Sequence, residues 1–226
     1  MSGLGIIIWL VIAAAIYFLF RWLGRIGRRH AVASWGGRRL QSADGLNRLF
    51  CRRYHRLGST EIDLPAAGGV IVVSNHISGL DPVAMIAASA RPLRFLIAKE
   101  QYHRFYLHWF LKRLGLIPVD RTGRPDKALR AAQRALESGE AIAIFPQGGI
   151  TTEKDRQRKL KRGAVFLAEQ TGVPVVPVRI SGVAAKGWTI VAIFVRSRIV
   201  IEQGAILPAD MPADEKMQAI EEFITP

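Results

Sequence analysis

The chain has 226 residues, half of them hydrophobic, yet carries a formal net charge of +14. That length can bury a substantial core and suits one catalytic-size domain plus an extra segment, while the basic excess points to an anionic partner. A single cysteine, Cys51, excludes an intrachain disulfide framework and a thiolate zinc cluster.

The first predicted element is the uncharged run LGIIIWLVIAAAIYFLF, residues 4–20. As a helix it covers most of a hydrocarbon core of roughly 30 Å. Met1-Ser2-Gly3 lacks the basic start of a cleaved signal peptide. Arg21, Arg25, Arg28 and Arg29 stand between the apolar run and the cleavage-like Ala31-Val32-Ala33. Residues 1–33 are therefore expected to be an uncleaved anchor. The arginines keep the catalytic domain on the cytoplasmic side of a bacterial-type inner membrane.

Residues 34–60 predict a basic amphipathic helix. Leu46, Phe50, Tyr54 and Leu57 recur at helical spacing, and Arg48, Arg52 and Arg56 line another face. Such a helix lies along an anionic membrane surface or packs its apolar side on the domain, and the two are compatible. Asp44 is the only acid before Glu61.

Residues 61–226 alternate strand and helix patterns and form the expected catalytic domain. Strands are predicted at 70–74, 94–98, 116–119, 141–145 and 175–180, and helices at 81–90, 101–114, 125–138, 161–170 and 212–223. In 125–138, Ala128, Leu129, Ala132 and Leu136 share a face, and Gly139 closes the helix. Residues 188–195 and 198–202 read as a hairpin. The implied class is α/β, with a central, largely parallel or mixed sheet flanked by helices and preceded by the anchor and the basic helix. Functional groups in such sheets gather in the loops after strand C-termini.

Three candidate stretches fall there. In SNHISGLDP, residues 74–82, Asp81 before Pro82 is ordinary helix-start chemistry, with Asp81 as N-cap and Pro82 at N1. The same spacing lets the Asp81 carboxylate reach back to His76 and fix its tautomer, freeing the other ring nitrogen to take a proton. GLIPVDR, residues 115–121, presents the Arg121 guanidinium at the sheet edge, suited to an anionic group or to a surface ion pair. IFPQGGITT, residues 144–152, runs into the turn Gln147-Gly148-Gly149, whose amides can cradle an anion. A basic cluster comes next: Lys154, Arg156, Arg158, Lys159, Lys161 and Arg162. A fourth stretch, GVPVVPVRISG, residues 172–182, has two prolines bracketing a β-branched run and suggests an edge or irregular strand beside a groove. The sequence has no Gly-x-Ser-x-Gly elbow, P-loop or Gly-x-Gly-x-x-Gly turn.

In this order and at these separations, the four stretches resemble the glycerolipid acyltransferase family typified by 1-acylglycerol-3-phosphate O-acyltransferase. Asn75, His76, Ser78 and Asp81 fill the family's Asn-His-x-Ser-x-x-Asp block, and 115–121, 145–151 and 173–178 resemble its other three. The resemblance implies His76 as general base, oriented by Asp81, on a lysolipid hydroxyl that attacks the thioester of acyl-CoA or acyl-carrier protein. Amides near Gly148-Gly149 would hold the oxyanion. It implies substrate-binding roles for Asn75, Ser78, Arg121, Gln147, Gly148, Gly149, Lys159, Lys161 and Arg162. No metal or cofactor is needed beyond the thioester co-substrate. Expected partners are membrane phospholipids, the acyl donor and a lysophospholipid acceptor, most simply lysophosphatidic acid; nucleic acid is not expected.

One departure bears on the acceptor. Where the family usually reads Glu-Gly-Thr-Arg-Ser, this chain reads Gln147-Gly148-Gly149-Ile150-Thr151. A branch acting on 2-acyl-glycerophosphoethanolamine reads Glu-Gly-Arg-Ile-Thr, closer at Ile150-Thr151. Acceptors such as lysophosphatidylethanolamine or an amino-acid lysolipid therefore stay open. So does a non-catalytic, membrane-anchored module that binds anionic lipid or nucleic acid, which would leave the His-Asp pair without a job.

Overall fold

A computed structural model describes residues 3–103, 105–120, 125–152 and 159–225. The apolar run forms α1 (Gly3–His30), whose best window has a mean hydropathy of 2.6 and no buried residue. By length and composition it is able to cross a membrane. Helix α2 (Arg38–Leu49) doubles back against it and runs on into a π-helical turn, Phe50–Tyr54. The two helices cross at Gly27 and Gly45, where neither residue has a side chain. A Cβ on Gly45 would stand 1.7 Å from the Gly27 carbonyl oxygen, and one on Gly27 would stand 2.2 Å from that of Ser42. Ser42 Oγ donates to Gly24 O across the same crossing, at 3.0 Å.

The expected basic face of this second helix is corrected at Arg48. Its guanidinium is buried: Nε donates to Asp44 Oδ2 at 2.9 Å, Nη1 to Ala87 O at 3.0 Å, and Nη2 to Ser89 O. The Asp44 carboxylate also accepts Val32 N–H, Ala33 N–H and Trp35 Nε1–H. A buried charge has to be paired and fully hydrogen-bonded. The lone acid of the N-terminal quarter thus ties the connection after α1, α2 and the catalytic domain into one joint.

Beyond it come β1 (Val70–Ser74), α3 (Asp81–Ala88), β2 (Leu93–Ala98), α4 (Lys99–Tyr102) and α5 (Phe105–Arg113). Then follow β3 (Ile117–Val119), α6 (Asp126–Glu137), β4 (Ala141–Ile144), α7 (Gly163–Thr171), β5 (Val175–Ser181), α8 (Val191–Phe194), β6 (Val200–Gln203) and α9 (Ala213–Ile224). Among the described residues six strands make one sheet, ordered β3-β2-β4-β1-β5-β6. Every neighbouring pair is parallel except β5–β6. β1 is buried along its whole length, as a strand covered on both faces must be. Val70 and Val72 pack with Leu80, Ala84 and Met85 around α3, whereas Ile71 and Val73 pack with Ala132, Leu136, Val165 and Ile220 of α6, α7 and α9. The predicted stripe of α6 faces that core, and Gly139 turns the chain at φ 80°.

Three expectations fail. The predicted hairpin does not form: β6 pairs with β5, and residues 188–195 form a loop with the short turn α8. That loop is bonded instead to the end of the π turn, where Tyr54 Oη–H donates to Phe194 O and His55 Nε2 to Ile193 O. Secondly, of the edge or irregular strand expected at 172–182 the edge half fails, since β5 lies between β1 and β6, while the register with the chain after β6 does shift by one residue between Val178–Gln203 and Val175–Leu207. Pro177 is tolerated because its carbonyl accepts Gly204 N–H at 2.9 Å just past the last paired residue of β6, so the missing donor falls outside the ladder. Finally, the helix read over 101–114 is two, with α4 ending before a turn at His103.

Candidate active site

Because β1, β2, β4 and β5 are parallel, their C-terminal ends share one edge of the sheet. β1 ends at Ser74 and delivers Asn75 and His76; the adjacent β4 ends at Ile144 and delivers Phe145 to Gly149.

His76 Nδ1 lies 2.8 Å from Asp81 Oδ2. The carboxylate is fully buried and accepts from three further donors: Ile77 N–H at 2.6 Å and Ser78 N–H at 2.8 Å on Oδ2, and Ser78 Oγ–H at 2.9 Å on Oδ1. It therefore faces back into the turn, and the expected N-cap role falls to Leu80, with Asp81 at the first helical position. An anionic oxygen already taking two amides requires an N–H from the ring, which fixes the Nδ1–H tautomer and leaves a lone pair on Nε2. Among the described residues Nε2 has no partner, and the side chain keeps 16% exposure. The imidazole stacks on Phe145, with centroids 4.1 Å apart and planes 14° apart, and Phe145 in turn stacks on Phe95. This is a histidine oriented on one nitrogen and open at the other.

The turn is held from three sides. Thr151 donates to His76 O from both its amide (2.7 Å) and its hydroxyl (2.8 Å), joining the β4 loop to the β1 loop. Asn75 spans to β5: Oδ1 accepts Ile180 N–H at 2.7 Å and Nδ2 donates to Ile180 O at 2.8 Å. The loop after β5 supplies Gly187 N–H to Ile77 O and accepts Gly79 N–H on Trp188 O. Gly79 must lack a side chain, since a Cβ there would stand 2.2 Å from Thr189 O.

These bonds correct two expected substrate contacts. Asn75 and Ser78 are buried, and their polar groups are spent on Ile180 and on Asp81 and Leu80; both position the turn rather than face a ligand. Gly148, at φ 71°, uses its amide on Phe145 O, which removes it as an oxyanion donor, whereas Gly149 N–H has no partner among the described residues. Lys161 is brought to this turn, for a Cβ on Gly148 would meet its Cε at 2.8 Å and its Nζ at 2.9 Å. Gln147 is buried, and its Oε1 has no hydrogen-bond partner among the described residues. Arg162 is not brought to the turn, because its guanidinium pairs with Asp214 at 2.6 Å on the α9 side. Lys159 is exposed. Arg121, Lys154, Arg156 and Arg158 lie outside the described residues.

Sequence reasoning passed over Phe145 and Thr151 as individual residues, and Gly79 and Gly187 altogether. Phe145 and Thr151 stand inside the IFPQGGITT block, and Gly79 inside SNHISGLDP, so position at a strand end was the available signal for these three. Among the described residues no three His, Cys, Asp or Glu side chains converge as a metal site.

The Acyltransferase family model matches residues 59–181. A 1-acyl-sn-glycerol-3-phosphate acyltransferase of Bacillus subtilis is 29% identical over 121 residues, covering 53% of this chain and 59% of the relative. A probable enzyme of the same name from Mycoplasma pneumoniae is 35% identical over 121 residues, covering 50% and 44%. The chain spans about half the length of the curated relatives it matches. The crystal structure of the 1-acyl-sn-glycerophosphate acyltransferase PlsC from Thermotoga maritima superposes with a TM-score of 0.62 at 22% identity, over 84% of this chain and 80% of that one. At that identity the likeness speaks to the fold.

Proposed function

The chain belongs to the Acyltransferase family, on the match of residues 59–181, and from that premise we propose that it acylates the free hydroxyl of 1-acylglycerol 3-phosphate to give phosphatidic acid. The observation that carries this reading is the His76 Nε2 lone pair, fixed by Asp81 at 2.8 Å and open to a ligand. As the acceptor hydroxyl attacks the thioester carbonyl carbon, Nε2 takes its proton, and the buried Asp81 carboxylate stabilises the imidazolium that forms. The tetrahedral oxyanion falls to amides such as Gly149 N–H. Collapse expels the thiolate of acyl-CoA or acyl-carrier protein, which recovers the proton from His76. No acyl-enzyme intervenes.

Lys161 beside Gly148, with Lys159 nearby in sequence, supplies positive charge for the acceptor phosphate where the family's arginine is replaced by Ile150. A second acceptor reading rests on Gln147. Its buried amide oxygen, without a partner among the described residues, is a neutral acceptor where the family pattern has a carboxylate, and it suits a donor group on another lysolipid head group, such as an ethanolamine ammonium. In this reading α1 is the membrane anchor, and the arginines of its last turns favour a catalytic domain on the cytoplasmic side.

The test is acyl transfer by the purified protein, with labelled acyl-CoA and acyl-carrier protein offered against a panel of lysolipids and His76→Ala as control. Conversion of lysophosphatidic acid, lost in the variant, supports the first reading. Transfer only to lysophosphatidylethanolamine or an amino-acid lysolipid supports the second. A folded protein that transfers to nothing overturns both in favour of a binding module.

A further inference from the structure

The loop between β5 and β6 carries a second apolar surface, separate from α1. Trp188 is 60% exposed and Phe194 71%, and Ile190, Val191 and Val195 are exposed beside them. The backbone beneath them is anchored. Val183 and Ala192 are buried, Ser197 Oγ bonds Ala184 N–H and Val195 O, and Tyr54 and His55 bond Phe194 O and Ile193 O. The same fold that buries the inner side of this loop therefore holds its largest side chains out in water.

Three observations name what covers them. First, the rim is basic: Lys186, Arg196 and Arg198 are exposed and have no ion pair among the described residues. Aromatic side chains ringed by lysine and arginine suit the head-group region of an anionic bilayer. Secondly, the loop is continuous with the anchor, because Tyr54 and His55, which grip it, end the helix that packs on α1. Thirdly, it lies at the sheet edge that carries His76.

We infer that residues 183–198 form a second lipid-contacting element, which seats Trp188, Ile190 and Phe194 in the interface of an anionic bilayer. Trp188 O and Gly187 N–H are bonded to the turn that carries His76. Seating the loop therefore sets that turn at the lipid surface, where an acceptor reaches Nε2 without leaving the membrane. The consequence for catalysis rests on the acyl-transfer reading; the seating itself does not.

The test separates them. Full-length Phe194→Cys and Asp210→Cys, each carrying a polarity-sensitive dye, are placed in lipid nanodiscs containing phosphatidylglycerol. Asp210 is an exposed residue of the segment after β6, near the opposite sheet edge, where Leu207 pairs with Val175. The dye at 194 should be quenched by nitroxide-bearing lipid and shielded from aqueous iodide at least about fivefold more than the dye at 210, as for a side chain at the head-group boundary. Iodide access at 194 equal to that at 210 overturns the inference. Shielding from both quenchers together with cross-linking between copies also overturns it, in favour of self-association. Ile190→Cys replaces Phe194→Cys if that variant does not fold.

None of these readouts needs catalysis, so failure of the acyl-transfer proposal leaves them standing. If both hold, the Ile190→Ser/Phe194→Ser pair should slow acylation of a vesicle-embedded acceptor at least about tenfold more than of a short-chain acceptor dissolved in water, the factor that one well-buried apolar side chain is worth. Equal slowing on both acceptors assigns the pair a structural role and removes the functional consequence.

Discussion

Replacing Asp81 by asparagine isolates the charge of the orienting group from its shape. Four donors converge on this buried carboxylate, three of them on Oδ2. Turning the new NH2 toward Oδ2's partners would set Ile77 N–H, Ser78 N–H and the imidazole N–H against a donor. The side chain will therefore keep its oxygen there and point the NH2 at Ser78 Oγ, which must then accept instead of donate. One rearranged buried bond costs about 1–3 kcal/mol, so the protein should fold and the ring should keep its tautomer. What disappears is the anion facing the imidazolium in the transition state. At an effective dielectric near 20, unit charges at the observed 2.8 Å separation attract by about 6 kcal/mol, a ceiling close to 10⁴ in rate. The neutral amide keeps part of this, so acyl transfer should fall about 10²–10³-fold, inside the range of general-base effects. Single-turnover transfer from a labelled acyl thioester, with thermal melting as the folding control and 15N NMR for the tautomer, measures each part. Activity within about tenfold of the parent in a folded variant with His76→Ala inactive would refute the orienting role.

Three further outcomes concern groups outside the reaction itself. Asn75→Ala strands the buried N–H and C=O of Ile180 and should lower unfolding stability by about 2–4 kcal/mol, read by denaturant titration; an unchanged midpoint contradicts the clamp. The Cys51 thiol is buried in the core and pushed up to about 12, chiefly by burial, so Ellman's reagent at a pH of about 8 should label it only as the protein unfolds. Prompt labelling of native protein would show that this part of the core opens to solvent. Burial also holds the His55 imidazole below its ordinary 6.5, with Nε2–H on Ile193 O and Nδ1 without a partner among the described residues. The unfolded chain then binds the proton more tightly. The stabilisation from a neutral His55 is thus complete above about pH 6.5 and is lost as pH falls below it toward the folded value. His55→Gln, which keeps an N–H for Ile193, should flatten the decline in melting temperature over that window, and an equal decline in the variant would move its cause elsewhere.

The sequence made the layers readable and the pairings less so. β1 and α6 are legible because one is apolar on every residue and the other repeats at helical spacing, and each pattern reflects directly what covers the element. Residues 188–195 carry a strand-like run of β-branched and aromatic residues, but no local pattern says whether such a run meets a partner strand. Here β5 is already paired with β6, and the apolar surface is left outside. The same limit governs polar residues. Arg48 reads as one more member of a basic face until Ala87 O and Ser89 O, far along the chain, are seen to need donors. Asn75 reads as a substrate contact until Ile180 is found opposite it. Whether a polar side chain binds a ligand or the chain's own backbone is decided by unmet hydrogen bonds on neighbouring strands, which residue type does not encode.

That distinction also separates the reaction from its acceptor. The groups that fix His76 are backbone atoms on three strand ends or side chains committed to them: Asp81 on Ile77 and Ser78, Thr151 on His76 O, Asn75 on Ile180. A substitution at any of these disturbs the fold of the turn, so the proton-transfer geometry is coupled to stability. Gln147, Gly149 and Lys161 are held differently, on the loop after β4: among the described residues the Gln147 Oε1 and the Gly149 amide have no partner, and the Lys161 ammonium lies over Gly148. Their polar groups are uncommitted to the core and can change without unseating the base. The departures from the family pattern fall on the loop after β4, at Gln147, Gly149, Ile150 and Thr151, where threonine keeps the hydroxyl of the family's serine, while Asn75, His76, Ser78 and Asp81 are intact. On the proposed reading, a chain that keeps the committed residues and varies this loop is altered at the head-group contact rather than at the base. Gln147→Glu should therefore shift the ratio of rates between lysophosphatidic acid and lysophosphatidylethanolamine more than it shifts the melting temperature. A change in stability with the ratio untouched would place Gln147 among the structural residues instead.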